Sequence, residues 1–266
     1  MKLSVVLATY NEEANLARCL EVVKGLADEI VIVDGESVDK TVEIGKRYGA
    51  KIIETTNKPI FHINKQMAMD EAKGDWVLQL DADEVVDTEL RSQIEKIVKN
   101  GSEFSGFWVK RKNMFLGRWL TKGGQYPDKV IRFYKNGKAR LPQKSVHEQM
   151  EVEGSVGEID GHLLHYNAPT FSRYLTNADR YTSLTAHELQ NSKTPKNIVN
   201  MIGYFIVKPS VTFLNIYIRH KGFVDGMPGF IFALFSGLHW SLAYMKLWDV
   251  QKQETRSKKQ ETRYKR

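Results

Sequence analysis

Apolar and polar residues come in blocks along the first hundred positions. Lys2 to Ala8 is an apolar run of strand length. Glu13 to Lys24 carries Leu16, Cys19, Leu20 and Val23 at helical spacing. Glu29 to Val33 reads as a second strand, ending in Asp34-Gly35, and Asp39 to Tyr48 as a helix stopped by Gly49. Lys51 to Glu54 is a third strand, Ile60 to Ala72 a helix ended by Gly74, and Trp76 to Leu80 a fourth strand. This strand–helix alternation predicts right-handed crossovers and an α/β fold with a mainly parallel, three-layer sheet. Ligands of such sheets bind beyond the carboxyl ends of the strands. The exits here are polar: Thr9-Tyr10-Asn11-Glu12, Asp34-Gly35-Glu36-Ser37, Glu54-Thr55-Thr56 and Asp81-Ala82-Asp83-Glu84. All four should lie along one edge.

After a helix expected at Asp87 to Lys99 the pattern changes. Gly106 to Arg111 and Lys129 to Tyr134 read as strands, joined by a basic, aromatic and glycine-containing loop from Arg111 to Tyr126 that suits a pocket wall. From Thr170 onward the chain reads as helical. Phe171 to Asn191 is amphipathic, Ile198 to His220 is apolar but interrupted at Lys208-Pro209, and Gly226 to Met245 has no Asp, Glu, Lys or Arg. A bilayer span needs about 20 apolar residues. This segment barely reaches that length, so the expectation is a helix in the membrane interface or packed in a hairpin with the preceding helix, with a true span and a buried helix beside a solvated tail as the alternatives. Trp240, Tyr244 and Trp248 sit where interfacial aromatics would.

Composition adds three points. At 266 residues and 42% hydrophobic, the chain can bury a substantial core. Its one cysteine, Cys19, forbids an internal disulfide and reads as a packing residue. The net charge of +7 is concentrated at the C-terminal end, where Lys246 to Arg266 holds eight basic and three acidic residues. Next to an apolar helix, such a tail points to anionic lipid; no nucleic-acid partner is expected. The short N-terminal apolar run reads as a strand and not as a signal peptide.

The candidate chemistry begins where the fourth strand ends. A buried strand stopping at Asp81-Ala82-Asp83-Glu84 could present oxygen ligands to Mg²⁺ or Mn²⁺, which bind through one or two carboxylates plus substrate phosphates. A lone Asp-x-Asp is more often a solvated acidic turn capping the next helix, and it is the rest of the chain that favours the metal reading. Val146-His147-Glu148 and Leu163-Leu164-His165-Tyr166 add two histidines and a carboxylate in short apolar contexts. Neither a Gly-x-Gly-x-x-Gly after the first strand nor a Gly-Lys-Ser/Thr loop is present.

These residues resemble the family-2 glycosyltransferases with the GT-A fold. The matching stretches are Ser4 to Glu12, Ile30 to Thr41 and Ala72 to Glu84. Later elements are similar to a narrower branch, bacterial enzymes that add a sugar, often glucose, to the lipopolysaccharide inner core. They are Arg111-Lys112-Asn113, Gly123-Gly124, Arg132-Phe133-Tyr134, Val146-His147-Glu148, Leu164-His165-Tyr166 and Lys221 to Gly226.

The resemblance implies a catalytic domain at 1–168, with a nucleotide-sugar half at 1–100 and an acceptor-side half at 101–168. A helical, membrane-associated region at 169–250 and a basic tail at 251–266 would follow. It implies inverting transfer of a hexose from a nucleoside diphosphate sugar to a hydroxyl of a glycolipid or oligosaccharide acceptor, on the inner face of the cytoplasmic membrane. Asp83 and His165 would hold the metal. Thr9, Tyr10, Asn11, Glu12, Asp34, Lys65, Gln66, Asp81 and Ala82 would bind the donor. Arg111, Gly124, Arg132 and His147 would face the acceptor or diphosphate, and Glu148 would be the general base. Where related enzymes carry Arg-Asn in the helix before the fourth strand, this chain has Lys65-Gln66; lysine lacks the bidentate fork of arginine. The usual acidic pair appears as His147-Glu148, with one carboxylate. A polyprenyl-phosphate acceptor, a nucleotidyltransferase and a non-catalytic sugar-nucleotide-binding protein remain alternatives.

Overall fold

In the computed structural model, residues 2–58, 60–142 and 149–264 are described, with side chains described as far as Asp249. The expected alternation is present. β1 (Leu3–Thr9), α1 (Leu16–Val23), β2 (Glu29–Asp34), α2 (Thr41–Arg47), β3 (Lys51–Glu54), α3 (His62–Asp70) and β4 (Trp76–Leu80) follow one another. Then come β5 (Glu84–Val86), α4 (Thr88–Asn100), β6 (Gly106–Phe115), β7 (Arg118–Trp119) and β8 (Asp128–Lys135). A two-stranded sheet of β9 (Ala139–Arg140) and β10 (Glu151–Val152) precedes the long β11 (Val156–Ala168).

Among the described residues the main sheet runs β3-β2-β1-β4-β8-β6-β11-β5, with β7 paired to β6. β3, β2, β1 and β4 are mutually parallel, while β8 is antiparallel to β4 and to β6. Alternation along β1 splits its side chains between two cores. Leu3, Val5 and Leu7 pack with Leu16, Leu20 and Val23 of α1 and Leu90 and Ile94 of α4. Val6 packs on the other face with Val31, Val33 and Ala68 and Met69 of α3. Helices therefore cover both faces, giving three layers. Each buried aliphatic side chain contributes about 1.5–3 kcal/mol.

The link from β4 to β5 is three residues, Asp81 to Asp83, and can span only about 10 Å. Yet β5 pairs with β11 at the far end of the strand order, Glu84 opposite His165. The antiparallel half must therefore curl back until its last strand lies beside the exit of β4. That curl encloses the candidate site.

The chain divides into two compact units. One holds Met1–Asn113 and Pro127–Tyr166; the other holds Met114–Tyr126 and Asn167–Arg266. The segment 114–126 thus belongs to the helical unit. Its residues Phe115 and Leu120 pack there with Ala168, Tyr174, Ile231 and Phe232.

In the helical unit, α5 (Phe171–Asn191) is followed by Ile198–Arg219 and then α8 (Gly226–Tyr264), which a 3₁₀ turn, Gly222–Asp225, precedes. Lys208-Pro209 does not break the helix as expected. Ile198–Arg219 runs through as α6 (Ile198–Ile202), a π-helical turn at Gly203–Val207, α7 (Lys208–Leu214) and a second π turn at Asn215–Arg219. Proline lacks an N–H and would crowd the carbonyl one turn back, and a wider turn relieves that crowding. The Tyr204 carbonyl, which would face the missing Pro209 donor, accepts from the Ser241 hydroxyl at 3.0 Å. α8 crosses here closely: a Cβ at Gly237 would lie 2.6 Å from the Pro209 oxygen.

Ile198–Arg219 and Gly222–Asp249 are each long and apolar enough to cross a membrane.

Candidate active site

Strand order creates the crevice. β2 and β3 are added on one side of β1, and β4 on the other. This reversal leaves a gap beyond the carboxyl ends of β1 and β4, where open α/β sheets bind ligands. The exits of β1, β2 and β4 converge on it.

The β1 and β2 exits are locked together. Thr9 lies opposite Asp34 in the ladder, and its hydroxyl donates to Asp34 Oδ2 at 2.9 Å. Asp34 is 1% exposed and also accepts from the Ser37 N–H at 2.8 Å and hydroxyl at 2.6 Å. Asn11, at φ 53°, gives its N–H to Ser37 Oγ at 2.8 Å and accepts from the Val38 N–H at 2.9 Å. Asparagine tolerates this left-handed conformation better than most residues. Glu12 N–H is held by Thr41 Oγ1 at 2.7 Å, and Tyr10 stands 46% exposed.

The β4 exit is a largely buried ionic network. Lys65 from α3 pairs with Asp81 Oδ1, and Arg132 from β8 pairs with Asp81 Oδ2 at 2.6 Å. Arg132 also donates to Gln79 Oε1 and, at 3.1 Å, to Glu84 Oε1. Glu84 is fully buried; it takes a second arginine, Arg111, at 3.2 Å and the Asp81 N–H at 3.0 Å. Arg111 forks onto Asp128 at 2.9 and 2.7 Å. Burial alone would raise the Asp81 pKa, but the Arg132 and Lys65 cations hold it well below the usual carboxylate range. Burial pulls the Lys65 pKa down.

Asp83 is placed differently. Its carboxylate pairs with His165 Nε2 at 3.4 Å. His165 Nδ1 contacts Asn113 Oδ1 at 2.7 Å, and Asn113 in turn donates to Asp128 at 3.0 Å. Backbone geometry fixes the pair, because the Tyr166 N–H donates to the Asp83 carbonyl at 2.9 Å. Burial would raise Asp83 too, but the His165 interaction keeps it below its ordinary value.

The predicted residues therefore separate. Thr9, Asn11, Asp34, Lys65, Asp81, Asp83, Arg111, Arg132 and His165 belong to these two networks. Ala82 is buried in the core. Gln66 faces away: its amide donates to Asp70 at 2.7 Å and accepts from the Leu141 N–H at 2.8 Å. Gly124 sits in the helical unit at φ +73°. His147 and Glu148 lie outside the described residues. Glu84 stood out in the sequence only as one of the acids closing β4, without a role of its own, and Asn113, Asp128 and Gln79 were given no site role. Asn113 sat within the Arg-Lys-Asn motif; Asp128 and Gln79 gave no signal beyond their charge or polarity.

A three-layer α/β sheet with carboxylates at its switch point and an antiparallel half curled over them is the GT-A glycosyltransferase architecture. Residues 4–152 match Glycosyl transferase family 2. The chain belongs to that family and is a glycosyltransferase. It is 29% identical over 256 residues to the lipopolysaccharide core biosynthesis glycosyltransferase LpsC of Rhizobium meliloti (strain 1021), covering 93% of this chain and 92% of that protein. It is 30% identical over 247 residues to an uncharacterized glycosyltransferase of Rickettsia typhi, covering 86% of this chain and 81% of that protein. A dolichol-phosphate mannosyltransferase of Pyrococcus furiosus is 34% identical, but over 47% of this chain and 35% of its own length. Among solved structures, the mannosyltransferase PcManGT of Pyrobaculum calidifontis, in complex with GDP-Man and Mn²⁺, has the same fold, with a TM-score of 0.53. It is 14% identical, over 93% of this chain and 87% of that one.

Proposed function

We propose that this glycosyltransferase moves a hexose, with inversion, from a nucleoside diphosphate sugar to a hydroxyl of a lipopolysaccharide-core glycolipid. It would do so as a peripheral enzyme on the inner face of the cytoplasmic membrane. The observation that carries the reading is the Asp83–His165 pair, 3.4 Å apart at the β4 exit, beside an Asp81 already neutralised by Lys65 and Arg132.

The donor set fits a Mg²⁺ or Mn²⁺ ion. It offers one carboxylate and one imidazole, and no cluster of three His, Cys, Asp or Glu among the described residues could hold a metal by itself. Such cations take few protein ligands and complete their shell with water and substrate phosphates. Asp83 and His165 would hold the ion, which supplies positive charge for the diphosphate leaving group. The GDP-Man and Mn²⁺ complex of PcManGT supports that reading. The locked Thr9–Asp34–Ser37 turn would receive the nucleoside. Lys65 and Arg132 place two buried cations beside the β4 exit, where negative charge develops on the leaving group. Glu148 would take the proton from the acceptor hydroxyl as its oxygen attacks the anomeric carbon opposite the diphosphate. General base catalysis of this kind contributes about 10²–10⁴-fold.

The acceptor assignment rests on coverage. The likeness to LpsC covers 93% of this chain and 92% of that protein, whereas that to the dolichol-phosphate enzyme covers 47% of this chain and 35% of that protein. The test is turnover of nucleotide sugars with purified core glycolipid and with polyprenyl phosphate, in the presence of Mg²⁺, Mn²⁺ or EDTA. Transfer to the core glycolipid that EDTA stops is expected. Transfer to polyprenyl phosphate alone would overturn the acceptor, and full activity in EDTA would overturn the metal.

A further inference from the structure

We propose that the hairpin from Ile198 to Asp249 lies flat in one leaflet of a bilayer and does not cross it. The proposal rests on the membrane reading above and specifies how the contact is made. Length and composition alone allow two spans. What backs the two helices decides against them.

The outward faces are apolar. On Ile198–Arg219, Val199 is 71% exposed, Ile206 60%, Val211 60% and Ile218 54%; on α8, Met227 is 67% exposed and Met245 48%. The one charged residue between Ile198 and Ile218 is Lys208. Its ammonium is folded over the rings of Tyr204 and Trp240, at 3.7 and 4.8 Å from their centroids. That posture suits a cation kept close to an apolar surface.

The inward side of α8 is tied to a helix that belongs in water. α5 packs along it: Phe171 meets Phe235 at 5.1 Å, Thr185 Oγ1 meets His239 Nε2 at 3.1 Å, and Asp179 pairs with Lys246 at 2.7 Å. The same α5 exposes Arg173, Asp179, Arg180, His187 and Glu188. Putting α8 across a bilayer would carry this exposed polar face of α5 into the hydrocarbon with it, out of contact with water.

The turn of the hairpin is held as well. Asp225 is 1% exposed and accepts from the Thr121 N–H at 2.9 Å, the Thr121 hydroxyl at 2.8 Å and the Lys122 N–H at 2.8 Å. Arg118 pairs with it at 3.4 Å, and the Gly123 N–H donates to the His220 carbonyl at 2.9 Å. A spanning hairpin would have to carry this polar loop to the far side with its turn.

Anchored along α5 and at its turn, the hairpin can offer lipid only its outer face. Exposed Arg219 and Lys221 at the turn and Lys193 near the other end would then meet headgroups of the same leaflet.

Depth measurements on full-length protein test the idea. Nitroxide labels are placed one at a time at Ile206→Cys, Ile218→Cys and Leu238→Cys, on vesicles of phosphatidylethanolamine with phosphatidylglycerol. Cys19 is fully buried and serves as the unlabelled background, checked on the wild-type protein. Positions 206 and 218 are twelve residues apart, about 18 Å along a helix. A flat hairpin places all three labels at one shallow depth. Depths differing by about the full axial separation between 206 and 218 would mean a crossing helix and overturn the proposal. Labels that stay in water on every vesicle would overturn the membrane reading itself, and sugar-transfer assays with soluble acceptor fragments would be untouched by that outcome.

Discussion

Asp81 and Asp83 are two residues apart and differ in what surrounds them. Asp81 is held by two cations, Lys65 and Arg132, whereas Asp83 faces His165; their side chains are 24% and 18% exposed, so partners and not access distinguish them. Asp83→Ala should therefore abolish Mn²⁺-dependent binding of a nucleoside diphosphate and leave the melting temperature within a few degrees of wild type; calorimetric titration with and without EDTA reads the first and a thermal melt the second. Arg132→Met should behave in the opposite way. It strips a buried guanidinium from Asp81 and fully buried Glu84, and losing one partner of a buried charge pair costs about 3–5 kcal/mol. A urea titration showing less than about 1 kcal/mol of loss would mean that Lys65 and Arg111 neutralise the pocket alone. This division of labour was only partly legible in the sequence. The acid cluster announced itself because it ended a continuous apolar run. The partners of Glu84 did not, because Arg132 and Arg111 lie 48 and 27 positions away and arrive through antiparallel pairing that no local pattern encodes.

Among the secondary-structure elements, those with one strong periodic signal were readable almost to the residue. β4 occupies Trp76–Leu80 and α5 Phe171–Asn191, the bounds expected from the apolar run and the amphipathic stretch. The Arg111–Tyr126 loop was less readable: β6 extends to Phe115 and returns as β7 at Arg118–Trp119, with Leu116 and Gly117 both at positive φ. Two points of close packing make element-level predictions. Gly161 in β11 has φ +95°, and a Cβ there would lie 2.2 Å from the Leu90 nitrogen at the start of α4. Gly161→Ala should destabilise the protein by about 3 kcal/mol or more, since strain and backbone overlap act together, and a melt lowered by only a degree or two would contradict this. Glu29, half-buried at the start of β2, accepts from the Ser4 hydroxyl and the Lys73 N–H. Burial would raise its pKa, but these hydrogen bonds hold it below the ordinary value of 4.5. The sign follows from linkage: a depressed carboxylate stabilises the fold above its unfolded pKa, and that stability is lost as pH falls through the lower, folded value. Glu29→Gln should therefore flatten the acid limb of the stability–pH curve below about pH 5, with denaturant midpoints across that range as the measurement.

For the molecule as a whole, the two compact units carry different chemistry. Both carboxylate networks lie in the unit of residues 1–113 and 127–166; the exposed apolar hairpin lies in the other. Composition hinted at the second unit's role, because the uncharged Gly226–Met245 segment stood out, but the sequence could not say what backed it. That needed α5 and the Arg118–Gly123 loop, which only tertiary contacts bring to it. The separation yields a prediction about the complete enzyme. Ile206 and Val211 are each 60% exposed, so replacing both with glutamate disturbs no core packing but puts two carboxylates on the surface proposed to face lipid. Charges on an interfacial face lose apolar burial and gain repulsion from anionic headgroups. The double variant Ile206→Glu with Val211→Glu should therefore bind anionic vesicles at least about tenfold more weakly, since each cation or anion near such a surface is worth about 1 kcal/mol. Its turnover with core glycolipid embedded in vesicles should fall in proportion, while turnover with a delipidated core oligosaccharide should match wild type. Equal loss on both acceptors would place the hairpin in the folding of the enzyme, and no loss on either would remove lipid from its outer face.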